Sequence, residues 1–181
     1  MFAEYRALAD EILNRANGKT VVYIPNPGNW GDGLIRYGTK IFFANHHIRH
    51  LEVNIGYRLG RISLTPFLWP LSRKKAFFIY GGGGAWCHAY SGGFAIVKFL
   101  SLFTNNFLVL PSTYEIPVGI SRGSFYRRGH NQSSLACPSA TFCHDMAFYV
   151  ATRPQDYRAQ PESKDRLGVF LRNDLESDLP D

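Results

Sequence analysis

The chain has 181 residues, of which 45% are apolar and 19% charged, with 14 Phe, 10 Tyr and 3 Trp. At roughly 150 residues per domain this is one packed domain and a fraction, and it excludes a disordered chain. No stretch approaches the roughly 18 uninterrupted apolar residues of a spanning helix, and Met1 to Asp10 lacks the basic-then-apolar order of a signal peptide, so the cytoplasm is the expected compartment.

Charge divides the chain. Residues 1–150 carry 15 Lys/Arg against 7 Asp/Glu, whereas residues 151–181 carry 5 against 7. Between Arg36 and Lys75 there are eight basic residues and one acid, Glu52, a field that attracts phosphorylated or anionic partners. No recognition helix, zinc-finger or RNA-binding signature accompanies it, so nucleic acid is not an expected partner. Cys87, Cys137 and Cys143 are odd in number and lack CxxC spacing, which predicts reduced thiols and neither a disulfide framework nor a Cys-rich metal site.

In chain order, Phe2 to Ala16 has apolar residues at helical spacing and ends in Asn17-Gly18, an amphipathic helix with its stop. Val21 to Ile24 reads as a buried strand, Pro25 to Gly31 as a loop, and Asp32 as the N-cap of a helix from about Gly33 to Ala44. Ala76 to Tyr80 is a second continuous apolar strand, running into Gly81-Gly82-Gly83-Gly84. Phe94 to Phe103 then reads as a half-buried helix, and Phe107 to Leu110 as a third strand closed by Pro111. Weaker strand signals lie at Ser124 to Tyr126 and Thr141 to His144, and Asn54 to Ser72 has no clear assignment.

Strands apolar on both faces that alternate with helices predict an α/β, Rossmann-like, mostly parallel sheet over residues 1–150. Residues 151–166 turn polar and read as a linker. Residues 167–181 then open with a strand, Leu167 to Leu171, the expected start of a second domain that the sequence leaves incomplete.

Two loops stand where such sheets bind ligands, at the C-terminal ends of strands. Asn26-Pro27-Gly28-Asn29-Trp30-Gly31-Asp32-Gly33 joins a strand to a helix N-terminus; it is neither GxGxxG nor GxxxxGK[ST], so a nucleotide cofactor gains no support. An acid for a cofactor ribose is likewise not apparent. The run Gly81 to Gly84 is costly in backbone entropy, on the order of 0.5–1 kcal/mol per residue, which argues for a backbone laid against something. If both loops lie at one end of the sheet, they form one cleft. The plain alternative is that Asp32 only caps a helix and the glycines only make turns.

His46, His47 and His50 have a spacing that suits either a metal or a surface and capping role, and lack a nearby carboxylate apart from Glu52, which favours the second. His88, just beyond the glycine run, is the better chemical candidate, and His144-Asp145 stands at a strand end. Pro66 to Lys75 joins aromatics to a basic cluster, a composition that suits either core packing beside a solvated charge run or a peripheral contact with anionic lipid.

Asn29-Trp30-Gly31-Asp32-Gly33-Leu34-Ile35, the strand running into Gly81 to Gly84, Val109-Leu110-Pro111-Ser112-Thr113, His144-Asp145-Met146-Ala147-Phe148 and Phe170-Leu171-Arg172-Asn173-Asp174-Leu175-Glu176 resemble, in order, the blocks of polysaccharide pyruvyl transferases. The resemblance implies the N-terminal half of a glycosyltransferase-B-like two-domain architecture. It also implies transfer of a pyruvyl group from phosphoenolpyruvate, as donor substrate and without a cofactor, to a sugar of an exopolysaccharide or cell-wall glycan, an acceptor that can be lipid-linked at the inner membrane face, and it singles out no metal-binding residue. On this resemblance Asn29, Gly31, Gly82, Gly83, Gly84, Arg127 and Asp145 line the substrate site. Asp32 is the first choice for the acceptor-side base and His88 the second.

The sequence departs from the family where Arg127 and Asn131 stand in the places of an acid and a Ser, and it stops at Asp181 before the family's Arg-Leu-His-like donor motif. The expectation is that the chain by itself lacks part of the donor site. The alternative reading is a non-catalytic carbohydrate- or anion-binding module derived from the same fold.

Overall fold

A computed structural model describes residues 2–54, 75–87, 92–129 and 132–152. Its elements are α1 (Ala3–Ala16), β1 (Thr20–Ile24), α2 (Trp30–Asn45), β2 (His50–Glu52), β3 (Ala76–Tyr80), β4 (Gly83–Trp86), α3 (Gly92–Phe103), β5 (Phe107–Tyr114), β6 (Ser124–Arg127), α4 (Gln132–Ala136), β7 (Thr141–Phe142) and a 3-10 helix, Met146–Thr152. Every strand pairing is parallel, in the order β2-β1-β3-β5-β6-β7, with β4 also on β5. The α/β, Rossmann-like arrangement expected from the apolar strands is what forms.

The two faces of the sheet follow from the pleat. Val21, Tyr23, Phe77, Ile79, Leu108 and Leu110 point to one side and are buried with α1, α2 and the 3-10 helix. Val22, Ile24, Phe78, Tyr80, Phe107 and Val109 point to the other and are buried with α3. Crossovers between parallel strands are right-handed. The β1-α2-β2 unit and the β3-α3-β5 unit move along the sheet in opposite directions, so their helices cover opposite faces. The layers are locked by close approaches. Gly38 of α2 lies so near the Met146 carbonyl that a Cβ there would overlap it, and the Tyr5 hydroxyl of α1 donates to the Asp145 carbonyl at 2.6 Å.

Several boundaries differ from the sequence reading. The third strand does not stop before Pro111 but runs through it to Tyr114. Proline cannot donate to a ladder, and Pro111 sits where the β5–β6 register shifts, between Val109 and Ser112. On the other side of β5, β3 pairs with its first half (Phe78 with Phe107, Tyr80 with Val109) and β4 with its second half (Gly83 with Ser112, Trp86 with Tyr114). The glycine run is therefore not a plain loop. Gly81 and Gly82 form a corner between two lengths of strand laid on the same neighbour. A Cβ on Gly82 would overlap the Pro111 carbonyl, which is the reason for a glycine there. The short β2 has no counterpart in the sequence reading.

Residues 55–74, which include nearly all of the unassigned Asn54 to Ser72 segment and of the aromatic-basic stretch Pro66 to Lys75, lie outside the described residues. So do His88, most of the expected linker and the strand expected at Leu167 to Leu171.

Candidate functional site

The chain leaves β1 toward β2 on one side and returns to β3 on the other, so the order reverses between β1 and β3. In open α/β sheets that reversal leaves a crevice at the C-terminal ends of the strands, the usual ligand position. Here it is walled by the two loops singled out in the sequence. The Gly81 amide donates to the Ile24 carbonyl at 2.7 Å, which ties the ends of β3 and β1 together. Asn26, buried at the end of β1, accepts from the Tyr80 hydroxyl at 2.9 Å and donates through Nδ2 to Asp32 Oδ1 at 2.7 Å. Gly83 has a φ of +124°, and a Cβ on it would stand 3.0 Å from Asp32 Oδ1 and 3.5 Å from Asn26 Nδ2. Its lack of a side chain lets the β4 backbone lie directly against that pair.

The start of α2 differs from the sequence reading. The helix begins at Trp30, and its N-cap is Asn29 rather than Asp32. Asn29 Oδ1 accepts from the amides of Gly31 at 2.8 Å and Asp32 at 3.4 Å, while Asp32 Oδ2 accepts from the Asn29 amide at 3.2 Å. This is a reciprocal capping box with Asp32 as its third helical residue. It changes the chemistry expected at this helix end. The Gly31 and Asp32 amides are already committed to Asn29, and a carboxylate stands beside them, so this end does not present the open anion cradle that free amides would make. Among the described residues, Asn26 Nδ2 and the Asn29 amide both address Asp32 as an acceptor.

A second cluster lies at the ends of β5, β6 and β7. Arg128 Nη1 donates to Asp145 Oδ2 at 2.5 Å and Nε to Thr113 Oγ1 at 2.6 Å, and about a third of the Arg128 side chain is exposed. Asp145 is buried and also accepts the Ala147 amide on Oδ1 at 2.9 Å, so it fixes the start of the 3-10 helix as well. The expected Arg127 does not join it. Arg127 belongs to β6 in register with Ser112 and Phe142, and its guanidinium goes to the Ala140 carbonyl at 3.2 Å and the Gly129 carbonyl at 2.6 Å. It braces β6 to β7, and the next residue takes the exposed edge because the strand ends there.

Of the residues expected from sequence, Asn29, Gly31, Asp32 and Gly83 therefore come together, whereas Gly82 packs on the β5 backbone at Pro111 and Gly84 continues the same strand half-buried. Asp145 stands with Arg128 instead of Arg127. Asn26, Tyr80, Arg128 and Thr113 were missed. Asn26 sits in the quoted motif, but only its burial beneath Asp32 reveals its use.

Comparison with protein-family models finds no match, and neither does comparison with curated proteins. Among solved structures, the chain is similar to a functionally uncharacterized protein of Klebsiella pneumoniae, with a TM-score of 0.68 and 21% identity. The match covers 89% of this chain and 62% of that one, so the chain spans less than two thirds of its length. The likeness is one of fold.

A third charged cluster lies at the end of β2. Glu52 does end β2, in the place where a dinucleotide fold holds its ribose acid, which corrects the expectation that no such acid exists. It is bound by Arg36 and by Lys40, the latter at 3.2 Å. Desolvation would raise its carboxyl, but these two cations outweigh it and hold Glu52 below the usual carboxylate range. His46 forms the C-cap of α2 and His50 lies in β2 with Nδ1 3.3 Å from the Ile48 carbonyl. No group of three His, Cys, Asp or Glu suited to a metal occurs among the described residues, and Cys87, Cys137 and Cys143 are buried free thiols.

Proposed function

We propose that this chain is the Rossmann-like part of a polysaccharide pyruvyl transferase-like protein, which joins the pyruvyl unit of phosphoenolpyruvate to a glycan hydroxyl. The observation that carries the reading is the meeting of Asn29, Asp32 and Gly83 at the β1–β3 reversal over the buried Asn26, since the first three belong to two of the motif blocks behind the resemblance. Asp32 there is a carboxylate addressed by the Asn26 and Asn29 donors and lying against the Gly83 backbone, an arrangement able to take a proton from a sugar hydroxyl. Arg128, oriented by Asp145 and Thr113, offers a guanidinium at the same edge for the donor's phosphate or carboxylate. Strand spacing sets the ends of β1 and β6 about 14 Å apart, room for two substrates side by side.

In the transfer, two hydroxyl oxygens of the sugar bond to C2 of the donor, one hydroxyl proton is delivered to C3, which becomes a methyl group, and the C2–O bond to phosphate breaks, hydrogen phosphate leaving with the second proton. On this reading the site works in the cytoplasm and, for a lipid-linked acceptor, at the inner face of the membrane; no helix among the described residues is long and apolar enough to cross one.

The experiment is calorimetric titration of the chain with phosphoenolpyruvate and with acidic glycans, paired with an assay for phosphate released by the chain when it is joined to a second domain that carries the family's donor motif. Donor binding with release supports the transferase. Donor or glycan binding without release supports the non-catalytic module, whose case is that both Asp32 oxygens already serve the capping box and Asn26. Absence of any binding overturns both.

A further inference from the structure

The opposite edge of the sheet, away from the candidate site, carries a surface that the transfer reaction does not use. Six described segments lead into the strands there: residues 17–19, 46–49, 75, 104–106, 119–123 and 137–140. They hold Lys19, Arg49, Lys75 and Arg122 and no Asp or Glu. Strand spacing spreads these cations over about 19 Å from the β2 end to the β6 end, a row and not a pocket. Of the acids of α1 near this edge, Asp10 faces His46, while Glu11 is tied to Arg15 and to the Tyr126 hydroxyl, and Arg15 reaches the Asn105 carbonyl at 3.0 Å.

Helix α3 ends on the same edge. Its last turns expose Phe99, Leu102 (67% exposed) and Phe103, with Lys98 beside them, and α3 contains no acidic residue. Arg122 is anchored there through the Ser101 carbonyl at 3.1 Å. Cations near helix C-termini offset the helix dipoles, but the dipoles give no reason for three large apolar side chains in water between them.

We infer that this edge is a docking surface for an anionic lipid bilayer, with Phe99, Leu102 and Phe103 entering the headgroup boundary and Lys19, Arg49, Lys75, Lys98 and Arg122 facing its negative charge. A broad row of cations beside an apolar triad matches a flat charged interface, which attracts each basic residue and takes up apolar side chains. The surface is independent of the proposed transfer, because it lies at the other end of the strands.

The test is co-sedimentation of the full chain with phosphatidylcholine vesicles, with and without phosphatidylglycerol. The expected result is binding only when phosphatidylglycerol is present, weakened about tenfold or more in the double substitution Lys75→Glu/Arg122→Glu and also weakened in Leu102→Ser/Phe103→Ser. All four positions are at the surface, and thermal melts check that the variants fold. Failure to bind phosphatidylglycerol vesicles, or binding unchanged by both double variants, overturns the inference. So does self-association that Leu102→Ser/Phe103→Ser abolishes, or binding to nucleic acid, when either occurs without vesicle binding.

Discussion

Replacing Asn26 by Ala removes the two side-chain bonds that connect β3, β1 and α2 beneath the candidate site. The Tyr80 hydroxyl loses a 2.9 Å acceptor and Asp32 Oδ1 a 2.7 Å donor. A neutral buried bond is worth about 0.5–1.5 kcal/mol and one to a charged group about 1.5–3 kcal/mol. Asp32 is only half-buried, so water replaces part of the second, and the low end applies. The sum is about 2–3 kcal/mol, measured by urea unfolding of Asn26→Ala against the parent chain. In a double-mutant cycle with Tyr80→Phe, the pair should couple by about 1 kcal/mol, as contacting residues do. A loss under about 0.5 kcal/mol, or no coupling, would refute the claim that Asn26 holds the two loops together.

Gly82→Ala drives a methyl group into the backbone of β5, with Pro111 C at 3.0 Å and Leu110 C at 3.2 Å, and should cost about 1–3 kcal/mol in a thermal or urea melt. Glu52→Gln tests the ion pairs with Arg36 and Lys40. The folded carboxyl titrates below its ordinary 4.5, so its contribution is present above that pH and is lost as pH falls through the folded value. Since both cations are more than a third exposed, the variant should lose only about 0.5–1 kcal/mol at neutral pH, with the gap to the parent closing in acid. Burial pushes the Cys143 thiol up to about 12, so it should resist a thiol reagent at neutral pH until the chain unfolds, as followed by mass spectrometry with and without denaturant.

The fold was legible where burial demands a continuous signal. Val21 to Ile24 and Ala76 to Tyr80 lie between two helical layers and must be apolar on both faces, and α1 shows its buried stripe at 5, 8, 9, 12 and 16. Strand β2 was not legible, because its three residues are half-buried or exposed and follow two histidines. Nor was the extension of β5, since Pro111 reads as a stop unless the register break beside it is known.

At the site, the spacing of Asn29 and Asp32 signals a helix start, yet two residues able to cap three places apart leave open which is the cap. The doublet Arg127-Arg128 carries a similar ambiguity, resolved by where β6 ends. Asn26 gave no local signal because its partners, Tyr80 and Asp32, are assembled only by the sheet.

The most direct test of an acceptor site at the β1–β3 reversal is an amide and side-chain 15N NMR titration of the chain with acidic glycans. The account predicts saturable shifts at Gly31, Asp32, Gly83 and the Asn26 side-chain amide. Shifts confined to other parts of the sheet, or none at all, would contradict it.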